Sequence, residues 1–137
     1  MITYTITGRT RNKQRYNTFV QDVINDLLPF PYKRDIEIEI NIVPQLESGN
    51  YGECLGDRNG AEIFVARKDQ NDELFSEQDM AYNVAHELVH AKQFIKGQLN
   101  HNTDKWKGAK WTRKATIQPW EREAYTMEVI LTERHFK

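Results

Sequence analysis

The chain has little with which to staple or span itself. A single cysteine, Cys54, among 137 residues excludes an intrachain disulfide and fits a reducing compartment. No apolar run approaches the length needed to cross a bilayer, so no membrane association is expected. Seven glycines and four prolines form no low-complexity linker. Neither sign of charge dominates: 19 Lys and Arg face 20 Asp and Glu, a balance unlike that of a generic polyanion binder. What is present points to a globular chain. Aromatics make up 11%, against disorder, and the length suits one domain over residues 1–137. The N-terminal Ile2 to Thr7 alternates like a strand and has neither the charged start nor the apolar core of a signal peptide. A soluble, cytoplasmic protein is the expectation.

Periodicity divides the rest. Tyr16 to Leu28 carries Phe19, Val20, Val23, Ile24, Leu27 and Leu28 at helical spacing and is closed by Pro29 and Pro31. Asp35 to Ile42 alternates strictly, predicting a strand with one buried and one acidic, wet face. Tyr51 to Leu55 and Ala61 to Ala66 flank Asp57-Arg58-Asn59-Gly60 and read as a hairpin turned by its Asn-Gly pair. A second helix is capped by Ser76, with Asp79 completing a capping box, and stops at Gly97. A polar, basic loop from Asn100 to Gln118 then leads to a last helix from Pro119 to Phe136. The order β-α-β-β-β-α-loop-α predicts an α+β domain with one small mixed sheet.

The second helix holds the chemistry. His86-Glu87-Leu88-Val89-His90 is an H-E-x-x-H motif, and positions i and i+4 share one helix face. Two imidazoles on that face can hold one Zn²⁺, with Glu87 beside them to act on water. The bland alternative is a helix with two incidental histidines. Against it, only four histidines occur in the chain, and two of them bracket a glutamate within a capped amphipathic helix.

A catalytic zinc takes three protein ligands and one open position. The metzincin pattern fails, because Gln93 and Lys96 stand where it needs Gly and His. Candidates for the third ligand are Glu121 and Glu123, at the start of the last helix, and His101, in the loop. The ordinary reading of the two glutamates is first-turn charge facing the helix dipole. His135, at the C-terminal end, is a poor choice.

His86 to Gln93 and Pro119 to Ala124 together resemble the gluzincin branch of zinc metallopeptidases, and most closely small phage-encoded metallopeptidases with an H-E-L-x-H-x-K-Q helix and a late P-W-E-x-E-A motif. The resemblance covers about two thirds of the chain. It implies a zincin-like domain whose third ligand is Glu121, three residues before the small Ala124, and, if phage-encoded, a place in the host cytoplasm. Larger gluzincins place an acid or amide after that small residue to orient the first histidine. Here Tyr125 stands there instead. The hairpin over Tyr51 to Val65 is similar to the strands before the metal helix in SprT-like proteases, which use a histidine as third ligand; that likeness favours His101. Gly52-Glu53-Cys54-Leu55-Gly56 faintly resembles the cysteine motif of peptide deformylases, but Glu and Gly are swapped and Val89 replaces an Asp. A small, half-buried strand residue is the better reading of Cys54.

The expectation is therefore a zinc metallopeptidase acting on a peptide or protein substrate. Zinc on His86, His90 and Glu121 would acidify a water, and Glu87 would take its proton as general base. Tyr125, Tyr51, His101 and Arg113 are candidate oxyanion donors, with Tyr125 the one favoured. Ala61 to Ala66 resembles the edge strand that, in zincins, holds an extended peptide by strand addition. The competing classes are a non-catalytic zinc module and a protease on DNA-bound proteins. The latter rests on two basic clusters, Arg9–Arg11–Lys13–Arg15 and Lys105–Lys107–Lys110–Arg113–Lys114, which more often mean solvated surface.

Overall fold

The structure is a computed structural model that describes residues 1–29, 31–100, 105–107, 109–110 and 117–137. Strand β1 (Ile2–Thr7) is followed by helix α1 (Lys13–Leu27) and strand β2 (Ile36–Val43). Strands β3 (Gly52–Asp57) and β4 (Gly60–Ala66) make the hairpin, and α2 (Glu77–Ile95) carries the H-E-x-x-H residues. Three two-residue strands follow, β5 (Leu99–Asn100), β6 (Lys105–Trp106) and β7 (Ala109–Lys110), before α3 (Pro119–His135). The segment expected to be irregular thus includes a small antiparallel sheet in the order β5-β6-β7. Two-residue strands are too short to show a period in sequence.

The main sheet has the order β1-β2-β4-β3. The β1–β2 and β2–β4 pairs are parallel, and β3 runs antiparallel to β4. The α+β class and mixed sheet expected from the pattern are both present. Alternation decides which face is covered. Ile36, Ile38, Ile40 and Ile42 are buried while Glu37 and Glu39 are exposed. Ala61, Ile63 and Val65 of β4 join the same core, as do Phe19, Val20, Val23 and Ile24 of α1. Apolar burial of this kind contributes roughly 1.5–3 kcal/mol per large aliphatic side chain, the main force holding α1 and α2 to the sheet.

Two readings of the strands change. The loop of the hairpin is Arg58–Asn59, since Asp57 pairs with Gly60. The Asp57 carboxylate accepts from the Asn59 N–H at 2.7 Å, so the turn starts one residue early. Gly60 instead lets β4 press against the backbone of Glu37, where a Cβ would collide. Second, β4 is paired on both sides; the sheet's edge strands are β1 and β3, and it is β3 that borders the cleft. Strand order depends on which long-range pairs form, and periodicity within a strand carries no information about that.

Helix α2 is capped at both ends, although only the Ser76 half of the expected capping box forms and the Asp79 carboxylate does not bond back to Ser76. The Ser76 hydroxyl accepts from the Asp79 N–H at 3.1 Å. At the other end Gly97 takes φ +72°, and the N–H groups of Gly97 and Gln98 bond the carbonyls of Phe94 and Gln93. On α3, Ala124 and Leu131 are buried and Met127 is half-buried, but Ile130 is 40% exposed. The buried stripe of α3 is therefore narrower than its composition suggests. Among the described residues no helix is long and apolar enough to cross a membrane.

Candidate metal centre

The site lies where α2, α3 and the edge strand β3 meet. His86, Glu87 and His90 come from α2, Glu121, Tyr125 and Glu128 from α3, and Tyr51, Gly52, Cys54 and Leu55 from the β3 side of a cleft of about 980 Å³. Pro119 fixes the first turn of α3, so Glu121 enters with the helix already formed.

His86, His90 and Glu121 are brought together, each offering one donor atom within 4.8 Å of the others. The Nε2 atoms of His86 and His90 are 3.2 Å apart, and a Glu121 oxygen is 3.6 Å from His86 Nε2. The other Glu121 oxygen contacts His90 Nε2 directly. Donors on a tetrahedral zinc at about 2.0–2.1 Å stand about 3.3 Å from one another, so these spacings suit one small ion.

The hydrogen bonds behind the histidines decide which nitrogens face inward. Gln93 is fully buried, and its amide N–H₂ donates to the Trp120 carbonyl at 2.9 Å and to Glu123 at 3.1 Å. Its carbonyl oxygen must then accept from His90 Nδ1–H, at 2.8 Å. His86 Nδ1–H donates to Glu128 at 3.0 Å in the same way. Both Nδ1 atoms are thus committed, and in the neutral imidazoles both Nε2 lone pairs face each other. Such an arrangement repels itself unless a cation (a proton or a metal ion) lies between. The N₂O donor set fits zinc.

Titration behaviour follows the same contacts. Burial works against the His86 imidazolium, but the carboxylates of Glu121 and Glu128 outweigh it and raise the group to about 10. His90 is raised for like reasons, with Glu121 and Gln93 as partners. The two histidines in turn lower Glu121 to about 2. Glu87 is 5% exposed, and burial raises its carboxyl to about 7 although both histidines oppose this. Burial also raises the Cys54 thiol well above its ordinary value, with the Glu87 charge adding to it. Cys54 lines the cleft but does not belong to the three-donor group, which agrees with its reading as a half-buried strand residue.

The other candidates fall elsewhere. Glu123 accepts from Lys92 Nζ at 2.6 Å and from Gln93, so its charge clasps α3 to α2 instead of joining the donors. His135 bonds Asp26 at 2.6 Å, tying the end of α3 to α1. His101 and Arg113 lie outside the described residues. Tyr125 is 55% exposed on the cleft, its ring 4.8 Å from that of His86, and Tyr51 is 44% exposed on the opposite wall. In the basic clusters Arg15 is paired with Glu77 at 2.7 Å, and Trp106 stands 6.3 Å from Trp120.

Sequence reasoning missed the role of Gln93 in orienting His90, and two further residues. Glu128, not the residue at Tyr125, orients His86. Its spacing from Glu121 is two helical turns, a signal that was available in the sequence. Gly52 is the second: a Cβ there would lie 2.8 Å from Glu87 Cγ, so β3 and α2 approach closely only because the position is bare. Nothing in a lone strand glycine announces that. Compared with models of known protein families and with curated proteins, the chain finds no match.

Proposed function

We propose that the protein is a zinc-dependent metallopeptidase of the zincin type, with His86, His90 and Glu121 as ligands and Glu87 as general base. The observation that carries this reading is the convergence of two Nε2 atoms and one carboxylate beside a second, buried carboxylate, Glu87, that takes no part in the group. A purely structural zinc would close its fourth position with another side chain. Held by these three residues, zinc would supply Lewis acidity toward a substrate carbonyl and would lower the pKa of a water molecule.

The residues of the chain do the rest. Glu87 takes a proton from the attacking water as the C–O bond forms, and returns it to the amine nitrogen as the C–N bond breaks. Burial raises this carboxyl to about 7 before any ion binds, giving it affinity for a proton that the charge of a bound zinc would partly oppose. Glu128 and Gln93 hold the imidazoles in the tautomer that presents Nε2. The Tyr125 hydroxyl, kept protonated because burial and then Glu121 raise its pKa, is the favoured donor to the developing oxyanion. The free edge of β3 offers backbone groups along the cleft, where an extended peptide can add as a strand.

The test is Glu87→Gln. The purified protein should hold about one zinc per chain by elemental analysis. The variant should retain that zinc while losing hydrolysis of unstructured protein substrates by a factor of about 10² or more. Equal hydrolysis by variant and wild type would sink the mechanism.

A further inference from the structure

We infer that a recess opening off the metal cleft binds the basic side chain, Lys or Arg, of a peptide substrate. The inference deepens the peptidase reading and rests on it for the word substrate. The recess, of about 420 Å³, shares Tyr51, Asn83 and Glu128 with the cleft and so adjoins it directly. Its walls are aromatic: Tyr51 and Phe75 meet edge to face at 4.8 Å, and Tyr82 stands beside them. Its charges are all of one sign, Asp79 and Glu128. Among the described residues, no hydrogen bond or ion pair occupies the Asp79 carboxylate, whereas Glu128 uses one oxygen on His86.

That combination selects a ligand class. An apolar side chain would cover two carboxylates without giving them a partner, which is costly. A bare metal ion wants a shell of oxygens, and most of this wall is carbon. A Lys or Arg side chain satisfies both features, since its methylene stem lies on the rings and its cation meets the acids. The surroundings favour the same charge. Glu53, Glu87, Glu121 and Glu128 all line the cleft, and no Lys or Arg is among the described residues lining cleft or recess. A divalent ion would offset only part of that charge, leaving a field that draws cationic segments.

Two measurements decide it. In a peptide library cut by the zinc-loaded protein, Lys or Arg should be enriched at one fixed position from the cleaved bond. Replacing that Lys by norleucine should lower kcat/KM by about tenfold or more, and Asp79→Asn or Asp79→Lys should shrink the difference. Equal rates on the Lys and norleucine peptides overturn the inference. The second measurement needs no turnover: N-acetyl-lysinamide, but not N-acetyl-norleucinamide, should shift the ring resonances of Tyr51, Phe75 and Tyr82 in Glu87→Gln protein, and Asp79→Lys should remove the effect. If wild type cuts nothing, the peptidase reading falls and the ring shifts alone decide the recess; no lysine-specific shift overturns it.

Discussion

At the scale of single residues, Glu121 and Glu123 show how two neighbouring carboxylates acquire different work. One turns toward the histidines and is lowered to about 2; the other meets Lys92 and Gln93. Glu121→Ala should therefore weaken zinc binding by a large factor, on the order of several kcal/mol, with the fold intact. Glu123→Gln should keep zinc but cost roughly 2–3 kcal/mol of stability, less than a fully buried pair because Glu123 keeps some contact with water. Glu128→Ala, which frees His86 Nδ1, should lower zinc affinity about 10- to 100-fold. His101→Ala should leave it nearly unchanged. Chelator competition and thermal unfolding on the four variants separate these outcomes. Retention of metal by Glu121→Ala together with its loss in His101→Ala or Glu123→Gln would reassign the third ligand.

At the scale of elements, the proposed mechanism depends on how closely β3 lies on α2. Gly52 gives that approach, and the Glu87 methylenes occupy the space a side chain would take. Glu87 is buried, so it has little room to retreat from a new methyl group. Gly52→Ala should leave zinc content unchanged yet reduce kcat by about 10² or more, the scale of a displaced general base. Should the alanine variant turn over as fast as wild type, the base is not held by this contact. The same element explains why the edge strand had to be corrected from β4 to β3. Only the outermost strand has backbone groups to lend, and the hairpin folds β3 outward.

For the whole molecule, α3 must stay docked for Glu121 to reach the histidines. Besides Lys92–Glu123, its far end is tied to α1 through Asp26, which accepts from His135 at 2.6 Å and Arg134 at 2.9 Å. The hydrogen bond from His135, ahead of the opposing effect of burial and the help of Arg134, lowers the Asp26 carboxyl below its ordinary value. A depressed folded-state pKa stabilises above the unfolded pKa of about 3.9 and ceases to do so as pH falls through the folded value. Wild type should then exceed Asp26→Asn in stability near about pH 5, by under about 1 kcal/mol for so exposed a pair, and the gap should close toward about pH 3. Urea unfolding of both proteins across that range checks the sign. A gap that widens on acidification would mean that the pair does not hold α3.

Local pattern alone determined the three helices, the four main strands, the Ser76 cap, the Gly97 stop and the pairing of His86 with His90. Each of these is written within a few neighbouring residues, where 3.6-residue and two-residue periods fix which side chains share a face. Three features needed tertiary structure: the strand order that leaves β3 at the edge, the division of labour between Glu121 and Glu123, and the recruitment of Glu128 and Gly52. A helix presents Glu121, in its first turn, and Glu123, just beyond it, to its surroundings with equal propensity. Only the rotation of α3 against α2, set by burying Ala124 and Leu131, determines which one meets the histidines and which one meets Lys92.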